Sequence, residues 1–281
     1  MAYSSIAKPT DYFNTVLWTG NGSTMTITGV GFNADLVWVK LRSGSDDNRL
    51  FDQVRGINKY LEANNTDTEV TDAILSTNSD GYNLASAGEV TANGGTFVGW
   101  NWKANGAGSS NSDGTIASTV SVNTTAGFSI VLYTGTGSAG TVTHGLSTAP
   151  RWVLNKGRDD NHSWIYGHVS VTSNFSYVGV FNSTDAFVSD NNSYNSTAPT
   201  SSVFTVNNAG GTNNDGQGYV AYCFHSVEGF SRIDRYLGNG NASGPYVFCG
   251  FEPQFLMLKC SDAAGAWNIY DNARNKLNPK D

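Results

Sequence analysis

The stretch GTFVGWNWK (residues 95–103) sets bulky apolar residues at Val98, Trp100 and Trp102, with Gly99 and Asn101 between them. A period of two is the mark of a β-strand, whose successive side chains point to opposite faces. A second stretch, GYVAYCFH (residues 218–225), repeats the alternation with Val220, Tyr222 and Phe224 on one face and Ala221 and Cys223 on the other. An aromatic face of this kind is most simply a core face, so both stretches read as strands that close a β-unit.

Working outward, matching landmarks lead up to each closing strand. LWTGNG (17–22), LYTGTG (132–137) and RYLGNG (235–240) place Gly20, Gly135 and Gly238 at separations of 115 and 103 residues. ADLVWVK, PRWVLNK and PQFLMLK end at Lys40, Lys156 and Lys259, separated by 116 and 103. RLFD, WIYG and NIYD place Phe51, Tyr166 and Tyr270 at 115 and 104. Agreement across three landmarks signals internal duplication. The glycines of LWTGNG do not form a phosphate loop, because STMTITGVGF (23–32) follows as a Thr-rich alternating strand where a helix would be needed. They read as turn formers that permit positive φ.

The expected fold class is all-β, built of tandem β-sandwich repeats with the third incomplete. Composition agrees: charged residues are 14% of 281, glycines number 32, and Asn, Ser and Thr are abundant, as short strands joined by tight turns require. The boundaries read as an N-terminal arm over 1–11, a first sandwich over 12–103 and a Gly/Ser/Asn linker over 104–114. A second sandwich spans 115–226, and a partial third repeat spans 227–281. NTDTEVTDAILS (65–76) is the one segment expected to turn helical. The last section has no match to the closing strand, which predicts an unpaired edge and an apolar face to be covered by further chain or by a neighbour.

A net charge of −7 and a pI near 5.0 argue against a nucleic-acid partner, and no basic stripe is present. MAYSSIAKPTDYF (1–13) has neither a secretory core nor a membrane span, which predicts synthesis in a cytosol and no membrane insertion. Cys223, Cys249 and Cys260 lack paired spacing and read as buried free thiols. His144, His162, His168 and His225 show no HxH or HExxH spacing and read as exposed loop or strand-end histidines. The acidic pairs at Asp46–Asp47 and Asp159–Asp160 and the run from Asp67 to Asp72 fit no twelve-residue calcium loop. No catalytic residue, metal site or cofactor is therefore expected. Trp164, Tyr194 and Trp267 lie near polar turns and are candidates for stacking on glycan rings, with core packing the competing role. Tyr3, Tyr12 and Phe13 are candidates for an attachment arm that orders against a partner.

The ordered motifs DYFNTVLWTGNG, LFDQVRG, STNSDGYNL, FVGWNWKANG, GFSIVLYTGTG, HGLSTAPRWVLNKGRD, VAYCFHSVEGFS and GFEPQFLMLK cover residues 11 to about 277. As a set they resemble a repeat family of tailed-phage virion proteins, whose units are similar to lectin-like, jelly-roll β-sandwiches. The resemblance implies a non-catalytic virion protein, assembled in the host cytoplasm and carried on a tail fibre or other external appendage involved in host-surface attachment. Its implied partners are other virion proteins, further copies of itself (a trimer foremost) and host surface glycan. A capsid decoration protein without host ligand is the alternative, and a virion-borne glycan hydrolase the third choice. Members of this kind often carry a complete third unit after GFEPQFLMLK, whereas this sequence stops halfway through it.

Overall fold

A computed structural model describes residue 4, residues 6–72 and residues 74–275. The chain is all-β, with several antiparallel sheets, none closed. Its first section holds β1 (Phe13–Thr19), β2 (Met25–Ile27), β3 (Leu36–Leu41), β4 (Arg49–Asp52), β5 (Lys59–Glu62), β6 (Val70–Thr71), β7 (Ile74–Asn78), β8 (Gly81–Leu84) and β9 (Thr96–Trp102). The next holds β10 (Ser109–Asn111), β11 (Ser118–Asn123), β12 (Phe128–Thr134), β13 (Gly140–Thr143), β14 (Trp152–Gly157), β15 (Ile165–His168), β16 (Tyr177–Val180), β17 (Val188–Ser189), β18 (Val203–Val206) and β19 (Gly218–Phe224). The last section contributes β20 (Phe255–Leu258) and β21 (Asn268–Asp271).

A six-stranded sheet runs β1-β9-β3-β4-β5-β6 and an eight-stranded sheet runs β10-β11-β12-β19-β14-β15-β16-β17. From β12 onward the second repeats the strand succession of the first. Each closing strand is clamped between two others, β9 between β1 and the VWVK-type strand β3, and β19 between β12 and β14. Thus Trp38 and Leu154 stand opposite Trp100 and Tyr222 in the two registers. Smaller sheets, β2-β8-β7 and β13-β18, lie over the outer faces.

Three cores follow from this arrangement. Val37, Val39, Phe51 and Phe97 pack with Tyr82 and Leu84 of the three-stranded sheet. Val131, Val153, Tyr219 and Ala221 pack with Val142, Phe204 and Val206 of the two-stranded sheet. The third core joins the two large sheets: Trp38, Val98 and Trp100 meet Ile130, Leu154, Tyr166 and Tyr222, and Phe255, Met257, Trp267 and Ile269 pack at its flank. The aromatic face of the closing strands is thus a core face between sections, and the opposite face is buried as well. Glycine makes that possible at position 99, where a Cβ would strike the Tyr82 hydroxyl and the Trp18 ring.

The LWTGNG turn divides its labour. Gly22 carries φ +74°, the left-handed region, while a Cβ on Gly20 would run into the carbonyl oxygen of Ala92. The Gly20 and Gly22 amides donate to the carbonyls of Gly95 (2.8 Å) and Thr91 (2.7 Å), and the Gly135 and Gly137 amides to Gln217 (2.8 Å) and Asn213 (3.0 Å). The turn therefore rests on α1 (Gly88–Thr91), and its counterpart on α2 (Gly210–Asn213), the short helices that enter the closing strands.

Two expectations are corrected here. The described residues of 65–76 form no helix and contribute β6 and the start of β7, since Val70, Thr71 and Ile74 are β-branched and find edge partners. Residues 104–114, expected to be a linker without packing, supply β10. Asp35 accepts from the amides of Ala104 (2.6 Å) and Gly106 (3.0 Å) and ties the segment to the first sheet.

Candidate functional site

Polar clasps hold the sections together. In the first, the Asp52 carboxylate and the Arg55 guanidinium are fully buried and ion-paired. Arg55 donates to the Leu50 carbonyl (2.7 Å), and the Tyr222 hydroxyl of the other large sheet donates to Asp52 (2.8 Å). Burial works against the Arg55 charge, but the carboxylates of Asp52 and Glu69 outweigh it and hold the guanidinium above its usual range. The same grip recurs in the last section. Asp271 accepts from Trp100 Nε1 (3.0 Å) and pairs with Arg274, whose guanidinium lies 5.0 Å from the Trp100 ring centroid. Trp100 and Tyr222 occupy the same place in their strands. The middle section has Gly167 where the others have Asp52 and Asp271.

Lysines at the ends of the VWVK-type strands make a second set of ties. Lys156 is buried and donates to the carbonyls of Gly157 (2.8 Å), Asp160 (3.0 Å) and, across the sections, Thr66 (3.2 Å). Burial pulls its ammonium down to about 8 against the opposing field of Asp160. Lys259 reaches from the last section to the carbonyls of Thr184 (3.1 Å) and Asp185 (2.8 Å). Glu69 bridges the sheets differently: burial alone would raise its carboxyl, yet Arg158, Arg55 and Lys59 together hold it at about 2.

Between these ties, where the last section meets the two large sheets, lies an apolar groove of about 920 Å³ lined by Trp102, Trp152, Tyr166, Phe224, Phe255 and Met257 among others. Its rim carries Asp234, which accepts from Ser170 (2.9 Å) and pairs with Arg151 and Arg232. His168 faces the groove with its pKa pulled down to about 4 by burial and by Arg151, so it is neutral near pH 7. Tyr236, Leu237, Tyr246 and Phe248 of the same section are exposed. The groove offers aromatic faces.

The residues singled out from the sequence fall in different places. Trp164 is fully buried against Tyr222, with its Nε1 donating to the Glu62 carbonyl (2.8 Å). Tyr194 is fully buried beside Phe175, its hydroxyl 2.9 Å from Asn155 Oδ1. Neither ring has a free face on which a sugar could stack, which corrects that expectation for both. Trp267 is half-buried, its ring 4.8 Å from Phe181 and 5.5 Å from Tyr166, and it lines the groove. Phe13 is part of β1 and packs on Trp102 and Phe255 at 4.9 and 5.4 Å, so it belongs to the core and not to an arm. Tyr12 lies against Phe230 at 6.2 Å beneath Lys103, and Tyr3 is outside the described residues. Ile6, within the expected arm, is buried.

The thiols and histidines also sort themselves. Cys223 is buried, but Cys249 is half-buried and Cys260 exposed, because both lie in the section with an open side. His144 is fully buried: its Nδ1 accepts from the Leu146 amide (3.1 Å) and its Nε2 lies 3.1 Å from the Thr200 carbonyl oxygen. Burial lowers its pKa to about 4. Among the described residues no group of three or more His, Cys, Asp and Glu side chains could hold a metal ion, and no helix is long and apolar enough to cross a membrane.

The clasps were missed in the sequence although a signal was present. LFDQVRG (50–56) and IYDNARN (269–275) share Asp-x-x-Arg, and the spacing of three is the one at which the arginine amide can turn back onto the aspartate, as it does at 2.8 Å in both.

Neither the curated proteins nor the solved structures compared with the chain include a match. One family does match, over residues 8–281, and the chain accordingly belongs to the family described as Domain of unknown function (DUF7483).

Proposed function

We propose that this protein is a non-catalytic structural component of a tailed-phage virion, part of a tail fibre or external appendage that contributes to attachment at the host surface. It acts as tandem lectin-like β-sandwich repeats. The observation that carries the reading is the recurrence of one strand succession, from β1 to β6 and again from β12 to β17, under the ordered motifs that resemble virion repeats. Tandem modules extend reach and present a binding face in several copies, so weak contacts add to useful avidity. The clasps support the same role. The Glu69–Arg158 ion pair and the hydrogen bonds from Tyr222 to Asp52 and from Trp100 to Asp271 brace one section against another, and the charged groups used there are engaged with one another.

The partners in this reading are other virion proteins, additional copies of the chain in a trimer, and host surface glycan. The experiment is to localise the protein on purified particles with a gold-labelled antibody, and to probe the purified chain on an array of host polysaccharides. Label on a tail appendage together with glycan binding supports the proposal. Label confined to heads, or absence from the particle, refutes it.

A further inference from the structure

A second hollow, of about 420 Å³, lies on the eight-stranded sheet where β10 and β11 extend it beyond β12. Its lining comes from residues 110–112, 117–119, 132–134, 158 and 218, so it belongs to the middle section and shares no residue with the groove. Its size falls in the usual range of small-ligand pockets, roughly 300–1,000 Å³. Register decides what faces it. Thr119 stands opposite Leu132, and Thr134, two residues on and so on the same face, stands opposite Gly218.

Arg158 closes one end of the hollow and is held in place before any ligand arrives. Its amide donates to the Gly218 carbonyl (2.8 Å), and its Nε and Nη2 donate to Glu69 at 2.9 and 2.8 Å. Glu69 is fixed in turn by Arg55 and Lys59. The third guanidinium nitrogen, Nη1, has no hydrogen-bond partner among the described residues. A Cβ on Gly218 would lie 3.8 Å from that nitrogen and 2.7 Å from Asp159 Oδ2. A rigid cationic donor and a carboxylate acceptor therefore converge on a gap that a side chain at 218 would fill. The Gly218 amide occupies Asp159 Oδ2 at 2.9 Å and leaves Oδ1 without a partner among the described residues.

The rest of the lining selects the ligand. Ser110, Ser112, Thr119 and Thr134 bring hydroxyls that have no hydrogen-bond partner among the described residues. Tyr133 is the one aromatic residue of the lining, and its ring is buried in the core behind the sheet. An anion would meet Asp159, a cation would meet Arg158, and a flat aromatic ligand would find no ring on which to stack. Adjacent neutral hydroxyls, each able to donate and to accept, satisfy both charged groups at once.

We propose that this hollow is a binding site for a neutral saccharide, whose vicinal diol donates to Asp159 and accepts from Arg158 Nη1 while its ring carbons rest on Leu132. The serine and threonine hydroxyls serve the remaining oxygens. The proposal rests on the attachment reading for the source of the sugar, a host surface glycan, and on the hollow alone for its chemistry.

The test follows amide chemical shifts of the full chain in titrations with glucose, galactose, mannose and N-acetylglucosamine. The uronic acid and the amino sugar of each hexose are the charged counterparts. The expected result is that at least one neutral sugar shifts the amides of residues 110–119, 132–134 and 218, and binds at least tenfold tighter than its charged counterparts. Thr134 is exposed, so Thr134→Trp fills the hollow without touching the core. It should weaken binding at least tenfold with the amide spectrum elsewhere unchanged, and Asp159→Asn, which keeps the shape of the side chain, should weaken it severalfold. No shift with any neutral sugar near its solubility limit, equal or tighter binding of the charged counterparts, or binding that survives Thr134→Trp would overturn the hollow as the site. Gold label on a tail appendage combined with any of those results removes this proposal and leaves the attachment reading standing.

Discussion

Replacing Arg55 by alanine removes the cation at the centre of the first clasp, and the cost can be worked from its neighbours. Glu69 keeps Arg158 at 2.8 Å and Lys59 at 3.1 Å, so it stays compensated. The Leu50 carbonyl loses its donor. Asp52 keeps the Tyr222 hydroxyl and the backbone amide of residue 55, both at 2.8 Å, but loses its ion pair with Arg55 at a site with no solvent exposure. Truncating one partner of a buried pair costs about 3–5 kcal/mol, and the two remaining hydrogen bonds to Asp52 place Arg55→Ala near the lower end, at about 3 kcal/mol. Arg274→Ala is the internal control. Its guanidinium is 25% exposed, so although Asp271 is as buried as Asp52, water takes over part of the role of Arg274 and the loss should be smaller than for Arg55. Urea unfolding followed by tryptophan fluorescence and far-ultraviolet circular dichroism measures both. Tyr222→Phe should cost about 1.5–3 kcal/mol alone and be strongly non-additive with Arg55→Ala, because both act on one carboxylate. Equal losses at Arg55 and Arg274, or additivity of Arg55 with Tyr222, would refute the clasp as the brace between sections.

Other outcomes follow from the same structure. Stability should fall on acidification: His144 and His168, held at about 4 against an ordinary 6.5, stay neutral in the fold while the unfolded chain takes up protons, so stability drops between pH 6.5 and 4. Glu69, held at about 2, adds a further loss from about pH 4.5 downward, and Glu69→Gln should flatten that lower limb in a pH series of urea midpoints. Gly20→Ala should cost more than about 2 kcal/mol, since its Cβ meets the Ala92 carbonyl, whereas Gly88→Ala, with open space around it, should be neutral within about 0.5 kcal/mol in the same assay. Ellman's reagent should titrate Cys260 at once, Cys249 more slowly and Cys223 only after unfolding. Trp100→Ala should cost about 3–5 kcal/mol and half-buried Trp267→Ala clearly less.

The strands were legible because their signals are local. Alternation in residues 95–103 and 218–224 and the apolar runs ending at Lys40, Lys156 and Lys259 each specify a strand without reference to the rest of the chain. What an aromatic face packs against is not local. Trp100 and Tyr222 read correctly as core, but part of what they meet, Phe255 and Asp271 for Trp100 and Asp52 for Tyr222, lies in another section, and no periodicity reports that. The same limit explains Trp164 and Tyr194. Polar turns beside them in sequence suggested exposure, and long-range packing buried both. The helical reading of residues 65–76 fails because the β-branched Val70, Thr71 and Ile74 suit an edge strand. The groove has no sequence signature, since its walls come from three sections.

The measurement that bears most directly on the central claim is cryo-electron microscopy of the intact phage particle with this chain fitted into density. The expected result is density for the two large sheets on a tail fibre or external appendage, with an outer face free for the host. Density for the chain in the head lattice, or none anywhere on the particle, would contradict it.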